Sequence, residues 1–380
     1  MVNQTRLIET FMELVKVDSE SGNEAEICKV LEQKFRELGL EVHVDDTKEK
    51  TGHGAGNLFA EWPATPGHES ALPIMFNCHM DTVTPGNGIK PRLDDDGYIR
   101  SDGTTILGSD DKAGVAAMLE AIRLAQESGI AHGPVQFIVT VGEESGLVGA
   151  KALDPAKLKA KVGYSLDSNG DVGEIMVAGP YQAQIRVKVR GRSAHAGVNP
   201  EDGISAIQVA SKAISRMPLG RIDEETTANI GRFAGGGATN IVCDYVEIDA
   251  EARSLVEPKL HAQVAAMKEA FESAAKEFGA VAEFNSEIVY PGFKFDEHAP
   301  VVKLATRAIK KIGREAKLLR SGGGSDANIF NGHGVPTVNL AVGYEHIHTT
   351  KEQMPVKELV KTAELVIALI EEAVNESGAV

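Results

Sequence analysis

The chain has 380 residues, 42% hydrophobic and 25% charged, the balance of a soluble globular protein and more chain than one ordinary core needs. A formal net charge of −16 argues against a nucleic-acid partner, whose phosphates would be repelled. Three cysteines, Cys28, Cys78 and Cys243, are an odd, sparse set that is no disulfide framework, have no CxxC pair for a thiolate zinc site, and are expected to be small buried hydrophobes. No apolar run approaches the length of a membrane span, and the first residues carry no basic-then-apolar leader. The expectation is a cytoplasmic protein with no membrane partner.

Residues 3–38 carry Leu7, Ile8, Phe11, Leu14 and Val15, then Ile27, Val30, Leu31 and Phe35, at helical spacing. The break at 19–22 separates two helices, the second with Ser21 or Asn23 as its cap. Strands are expected at 40–45 and 57–62, and a buried one at 73–78 that runs into His79-Met-Asp81. A polar loop over 85–103 turns at Asp96-Gly97. Leu107-Gly-Ser-Asp110-Asp111-Lys-Ala-Gly114 opens a helix over 115–126. A strand over 135–141 meets Gly142-Glu143-Glu144-Ser-Gly146, and another over 161–167 ends at Asp167. Strands alternating with helices imply an α/β layer with a largely parallel sheet sandwiched by helices.

Past Gly179-Pro180 the texture changes. Residues 181–190 alternate strictly, as do 226–233 and 245–254, which suits an antiparallel sheet with one wet face. Amphipathic helices are expected over 204–217 and 259–278, and a last strand over 281–289. The order β-α-β-β-α-β describes a ferredoxin-like α+β lid, inserted into the first domain, with an open sheet edge through which two copies could pair as a homodimer. After Pro291-Gly292 come a helix (300–312), a strand (316–320), a glycine-rich turn (321–326), a buried strand (335–342) that runs to His346-Ile-His348, and a closing helix (356–374). The expected domains are therefore 1–179 with 293–380, and 180–292 between them.

His79, Asp110, Glu144, Asp167 and His348 are the candidate metal ligands. Four lie at the ends of predicted strands or on the loops that follow them, and Asp110 stands where a loop meets a helix. Loops beyond neighbouring parallel strands converge on one rim. Imidazole and carboxylate oxygen suit zinc, cobalt or manganese, and two histidines with three acids exceed the needs of a single tetrahedral ion. They suit two ions sharing a carboxylate. Asp81, two residues past His79, can accept that histidine's second N–H and fix its aim. Glu143 and Glu144 are adjacent and point apart, so one can grip metal while the other handles a proton. His346 competes with His348, and spacing alone does not separate them.

In this order and context the segments His79-Met-Asp81-Thr-Val, Gly108-Ser-Asp110-Asp111-Lys-Ala-Gly114, Gly142-Glu143-Glu144-Ser-Gly146, Ser165-Leu-Asp167, Gly191-Arg-Ser-Ala-His195-Ala-Gly and His346-Ile-His348-Thr resemble the M20 family of dinuclear zinc peptidases, in its peptidase T-like branch. The likeness covers essentially the whole chain, although the stretch from Asp81 to Asp110 is shorter than in peptidase T enzymes. The resemblance implies two zinc ions bridged by Asp110, with His79 and Asp167 on one and Glu144 and His348 on the other. It implies a cis peptide between Asp110 and Asp111, and Glu143 as the general base acting on a metal-bridging water. It makes His195 an oxyanion contact, which in dimeric relatives can come from the other subunit. Arg253 becomes a clamp for a substrate carboxylate and Asn240 a substrate contact. The implied activity is a zinc exopeptidase on short peptides, an aminopeptidase first. A carboxypeptidase, a dipeptidase or an N-acyl amino acid amidohydrolase would use the same chemistry. A non-catalytic metal or peptide binder would need the ligands but not Glu143.

Overall fold

The computed structural model describes residues 1–376. They form two compact units: Met1–Ala178, Phe295–Ser321 and the stretch from Ser325 onward make one, and Gly179–Lys294 with Gly322–Gly324 the other.

The first unit is a mixed, largely parallel sheet. Its strands lie in the order Glu41–Val44, Leu58–Trp62, Val135–Thr140, Ile74–His79, Val162–Ser168, Thr337–Ala341, Glu174–Gly179, with Lys317–Arg320 beside the last. The four consecutive members from Val135–Thr140 to Thr337–Ala341 are parallel to one another. Every residue of Ile74–His79 and Val135–Thr140 is buried, because helices cover both faces and no wet face remains. Phe76, Cys78, Phe137 and Val139 point into a core shared with Leu7, Phe11, Met118, Ile122, Leu365 and Leu369 of the helices Gln4–Val15, Ser109–Ser128 and Val356–Val374. Met75, Ile138 and Phe59 point the other way, onto Phe330 of Asp326–Gly332. Among the described residues no helix is long and apolar enough to cross a membrane.

The second unit is an antiparallel sheet ordered Thr226–Gly235, Tyr245–Ser254, Tyr181–Arg190, Val281–Tyr290. Ala183, Ile185, Val187 and Val189 alternate onto one face. There they meet Val209 and Ala213 of Ala206–Ile214, and Met267, Phe271 and Ala274 of Glu257–Phe278. Arg186, Lys188 and Arg190 take the opposite, exposed face. The alternation in this stretch is thus the difference between a covered and an open sheet face.

Three local expectations are corrected. The helix Ala25–Glu37 is capped by neither Ser21 nor Asn23: its N-cap is Glu24, with no side-chain cap bond. Ser21 turns instead to Asp81, with Oγ 2.6 Å from Oδ2. The stretch expected as a polar loop holds two short strands, Arg92–Leu93 and Tyr98–Arg100, which pair with each other around the Asp96-Gly97 turn, the second also pairing with Gln353–Pro355. Cys243 is only half-buried, whereas Cys28 and Cys78 are buried as expected.

Candidate metal centre

The carboxyl ends of the four parallel strands line one rim, which is where an α/β sheet places its ligands. The register sets His79 beside Thr140 and Asn77 beside Ser165, so the loops that follow leave side by side. Strand Ile74–His79 delivers His79 and Asp81, Val135–Thr140 leads to Glu143 and Glu144, and Val162–Ser168 carries Asp167. Thr337–Ala341 runs on toward Tyr344 and His348.

At the rim Asp110 faces two ways. Its Oδ1 is 3.0 Å from His79 Nε2, and its Oδ2 is 3.3 Å from His348 Nε2. His79 Nε2 also lies 3.6 Å from Asp167 Oδ1, and His348 Nε2 lies 2.9 Å from Glu144 Oε1. The five predicted ligands therefore gather as two groups joined by one carboxylate. His346 and His348 both adopt positive φ, 57° and 61°, in the tight turn after Tyr344, and it is His348 whose ring reaches the acids. The His79 side chain is 1% exposed and that of His348 is 49%, so the cluster opens toward solvent on the His348 side.

Asp81 is fully buried and stitches the rim together. Its Oδ1 accepts from Glu143 N at 3.0 Å and its Oδ2 from Glu144 N at 3.3 Å, in addition to the Ser21 hydroxyl. His79 Nδ1 lies 2.9 Å from the Asp81 backbone oxygen and 3.4 Å from its carboxylate, so the carbonyl is the nearer acceptor for that ring N–H. Asp167 is held by Asn339, which accepts from its N–H and donates to its carbonyl, and by the Tyr344 hydroxyl at 3.1 Å from Oδ1. The Asp110–Asp111 peptide is cis. Asp111, not singled out in the sequence, is fully buried, and its Oδ2 accepts from His79 N at 3.2 Å.

The electrostatics explain what such a cluster demands. Burial, and then the charge of Asp167, pushes the Glu143 carboxyl well above its ordinary range, and the same two causes act on Asp111. Burial carries Asp167 up to about 7. Burial also opposes ionisation of Asp110, but bonds from His348 and His79 outweigh it and hold that carboxyl well below its usual range. Bonds to Asp110 and Glu144 lift His348 to about 10. Against burial, the carboxylates of Asp110, Asp167 and Asp81 raise His79 well above its usual value. The surrounding carboxylates thus favour positive charge at both imidazoles, the demand that divalent cations held by these side chains would meet. Donor atoms of His79, Asp110 and Glu144 lie within 4.8 Å of one another, as do those of His79, Asp111 and Asp167. Proximity alone would admit Asp111 as a ligand, but one of its oxygens is committed to the His79 amide. The donor set of imidazole and carboxylate fits zinc, cobalt or manganese.

The profile of the peptidase family M20/M25/M40 matches residues 75–372. The chain belongs to this family. It is a peptide hydrolase of the M20 family's peptidase T-like branch, with the family's mixed α/β fold. The crystal structure of aminopeptidase PepT from Bacillus cereus is 64% identical, superposes with a TM-score of 0.94, and covers 98% of this chain and 99% of its own. That of a tripeptidase from Staphylococcus aureus is 48% identical, with a TM-score of 0.96 over 99% of this chain and 100% of its own. Peptidase T of Geobacillus kaustophilus is 27% identical over 96% of this chain and 97% of its own.

The remaining M20 candidates lie in the second unit. His195 is exposed and accepts from Gly197 N at 3.2 Å through Nδ1. Its loop is tied to that of Asn240, since Ala196 N donates to Asn240 O at 2.9 Å. Arg253 is half-buried. Its Nε and Nη2 face the two oxygens of Glu251 at 3.0 and 3.1 Å, while Nη1 donates to Gly322 O at 3.2 Å. A guanidinium so held presents a planar, preset fork. Sequence reading missed Ser21, Asp111, Asn339, Tyr344 and Glu352. Of these only Asp111 stood inside a recognised segment.

Proposed function

We propose that this M20 peptidase is a dinuclear metallo-exopeptidase that removes the N-terminal residue from short peptides, with zinc as the first candidate and cobalt or manganese able to serve. The observation that carries the reading is the split of Asp110, one oxygen toward His79 and Asp167, the other toward His348 and Glu144. The aminopeptidase and tripeptidase descriptions of its 64% and 48% identical structural relatives support the choice of substrate.

In this reading His79 and Asp167 would hold one cation, Glu144 and His348 the other, with Asp110 serving both. When bound, such cations would supply Lewis acidity for the peptide carbonyl and for a water at neutral pH. Glu143 joins neither ligand pair. Burial and the neighbouring Asp167 raise its proton affinity, which suits a base that must accept a proton and then pass it to the leaving amine. Asp81 fixes the backbone of both glutamates, so the base and its neighbouring ligand keep separate aims. His195 donates to the carbonyl oxygen as it gains charge. Asn240 contacts the peptide and Arg253 holds a terminal carboxylate. The second unit acts as the substrate-holding lid, and the outer edge of Val281–Tyr290 pairs two copies.

Protein stripped by a chelator and reloaded with zinc, cobalt or manganese is expected to release the first residue of a free tripeptide and to spare its N-acetylated form. Release of the last residue, or equal cleavage of the acetylated peptide, would move the assignment to a carboxypeptidase or a deacylase.

A further inference from the structure

Glu352 lies outside every recognised segment, yet it is 2% exposed and gathers four donors. Its Oε2 accepts from Leu107 N at 2.8 Å and Gly108 N at 2.9 Å. Its Oε1 accepts from Ser109 Oγ at 2.5 Å and Asp110 N at 3.1 Å. An ionised carboxylate offers about four lone-pair sites, so this one is saturated.

The turn it holds has little other support. Asp110 (φ −81°, ψ 100°) and Asp111 (φ −123°, ψ 30°) are not helical, so the hydrogen-bond ladder of Ser109–Ser128 begins only beyond them. The first amides of a helix have no intrahelical acceptor in any case. At its other end Glu352 belongs to the loop that carries His348. Glu345 and Gln353 close that loop with two backbone bonds, 2.9 and 3.1 Å, and Gln353–Pro355 pairs with Tyr98–Arg100. One buried carboxylate therefore ties the turn that carries Asp110 to the loop that carries His348, the two residues that meet at 3.3 Å.

We infer that Glu352 is a positioning residue that holds Asp110 between the two halves of the cluster. The inference rests on the two-cation reading given above. Glu352→Gln keeps the size but leaves one acceptor oxygen, and its amide N–H groups then face two donors. The turn loses its hold, and Asp110 loses the aim of the oxygen it directs at His348. Loss of such an outer hydrogen-bond partner typically weakens metal affinity about 10–100-fold.

The test is a cobalt titration of the chelator-stripped full chain, followed by visible absorption, with the melting temperature measured alongside. Wild type is expected to take up two equivalents. Glu352→Gln is expected to keep the first and to bind the second about 10–100-fold more weakly. A variant that binds both as wild type does, whatever its melting temperature, overturns the inference alone and leaves Glu352 a structural staple. A wild type that takes up one equivalent or none overturns the two-cation reading, and the inference with it. If Glu352→Gln does not fold, Ser109→Ala, which removes one donor of the four, carries the same test. A several-fold weaker second equivalent supports the inference, and an unchanged one overturns it.

Discussion

Glu143 and Glu144 are chemically identical and adjacent, and their surroundings separate them. Glu144 meets His348, whereas Glu143 is pressed by burial and by Asp167 toward holding its proton. Glu143→Ala is accordingly expected to lower kcat by about 10²–10⁴-fold while the protein still binds two metal equivalents. Initial rates and metal content measured on one sample check this, and metal loss would contradict the assignment. His132 shows burial at work away from the rim. It stacks on Trp62 with ring centroids 3.7 Å apart, and burial pushes its pKa down. The unfolded chain therefore binds a proton there more readily than the folded one. Its stabilisation is whole above the ordinary histidine value of 6.5 and is lost as pH falls through the lower folded value. Denaturant melts between pH 7 and 5 should show a shallower fall in stability for His132→Gln than for wild type; an equal or steeper fall would contradict it.

The helix Ser109–Ser128 illustrates why an element lies where it does. A Cβ on Gly114 would stand 2.6 Å from Cys78 Sγ, 2.7 Å from Asp111 Oδ1 and 2.8 Å from the Leu166 carbonyl. The glycine lets the helix press onto the strands that deliver His79 and Asp167. Gly114→Ala gains about 1 kcal/mol of helix propensity but forces a backbone carbonyl aside, an overpacking that typically costs about 1–3 kcal/mol. Net destabilisation in a urea melt is the expected outcome, and net stabilisation would contradict the packing argument. Elements were legible in the sequence wherever the period was clean. Tyr245–Ser254 and Val356–Val374 begin and end where the pattern does. Glu174–Gly179 was missed, because its apolar run follows a glycine-rich turn without the alternation that flags the next strand. The cluster was legible because His79, Glu144 and Asp167 each follow a strong strand. Glu352 was not, because its partners are backbone amides and a hydroxyl 242 to 245 positions away, which leave no pattern in its own neighbourhood. Spacing left His346 and His348 level; the family resemblance chose His348, and it is the His348 ring that reaches the acids.

At the scale of the whole molecule, two separate cores support two kinds of work. The core of the first unit is built on parallel strands whose ends carry the acids and histidines. That of the second lies under one face of an antiparallel sheet and leaves Arg186, Lys188 and Arg190 open to solvent. Burial and neighbouring charge raise the proton affinity of Glu143, Asp111 and Asp167, so cations bound there should stabilise the folded chain. Metal at 100 times its Kd adds about 2.7 kcal/mol per site if the unfolded chain does not bind. Calorimetry of stripped and zinc-loaded protein should show a higher melting temperature with zinc, and an unchanged one would contradict the electrostatic account. The most direct measurement is anomalous scattering at the zinc edge from crystals of the loaded protein. Two peaks flanking the Asp110 carboxylate are predicted, one beside His79 and Asp167 and the other beside Glu144 and His348. A single peak there, or peaks away from Asp110, would contradict the account.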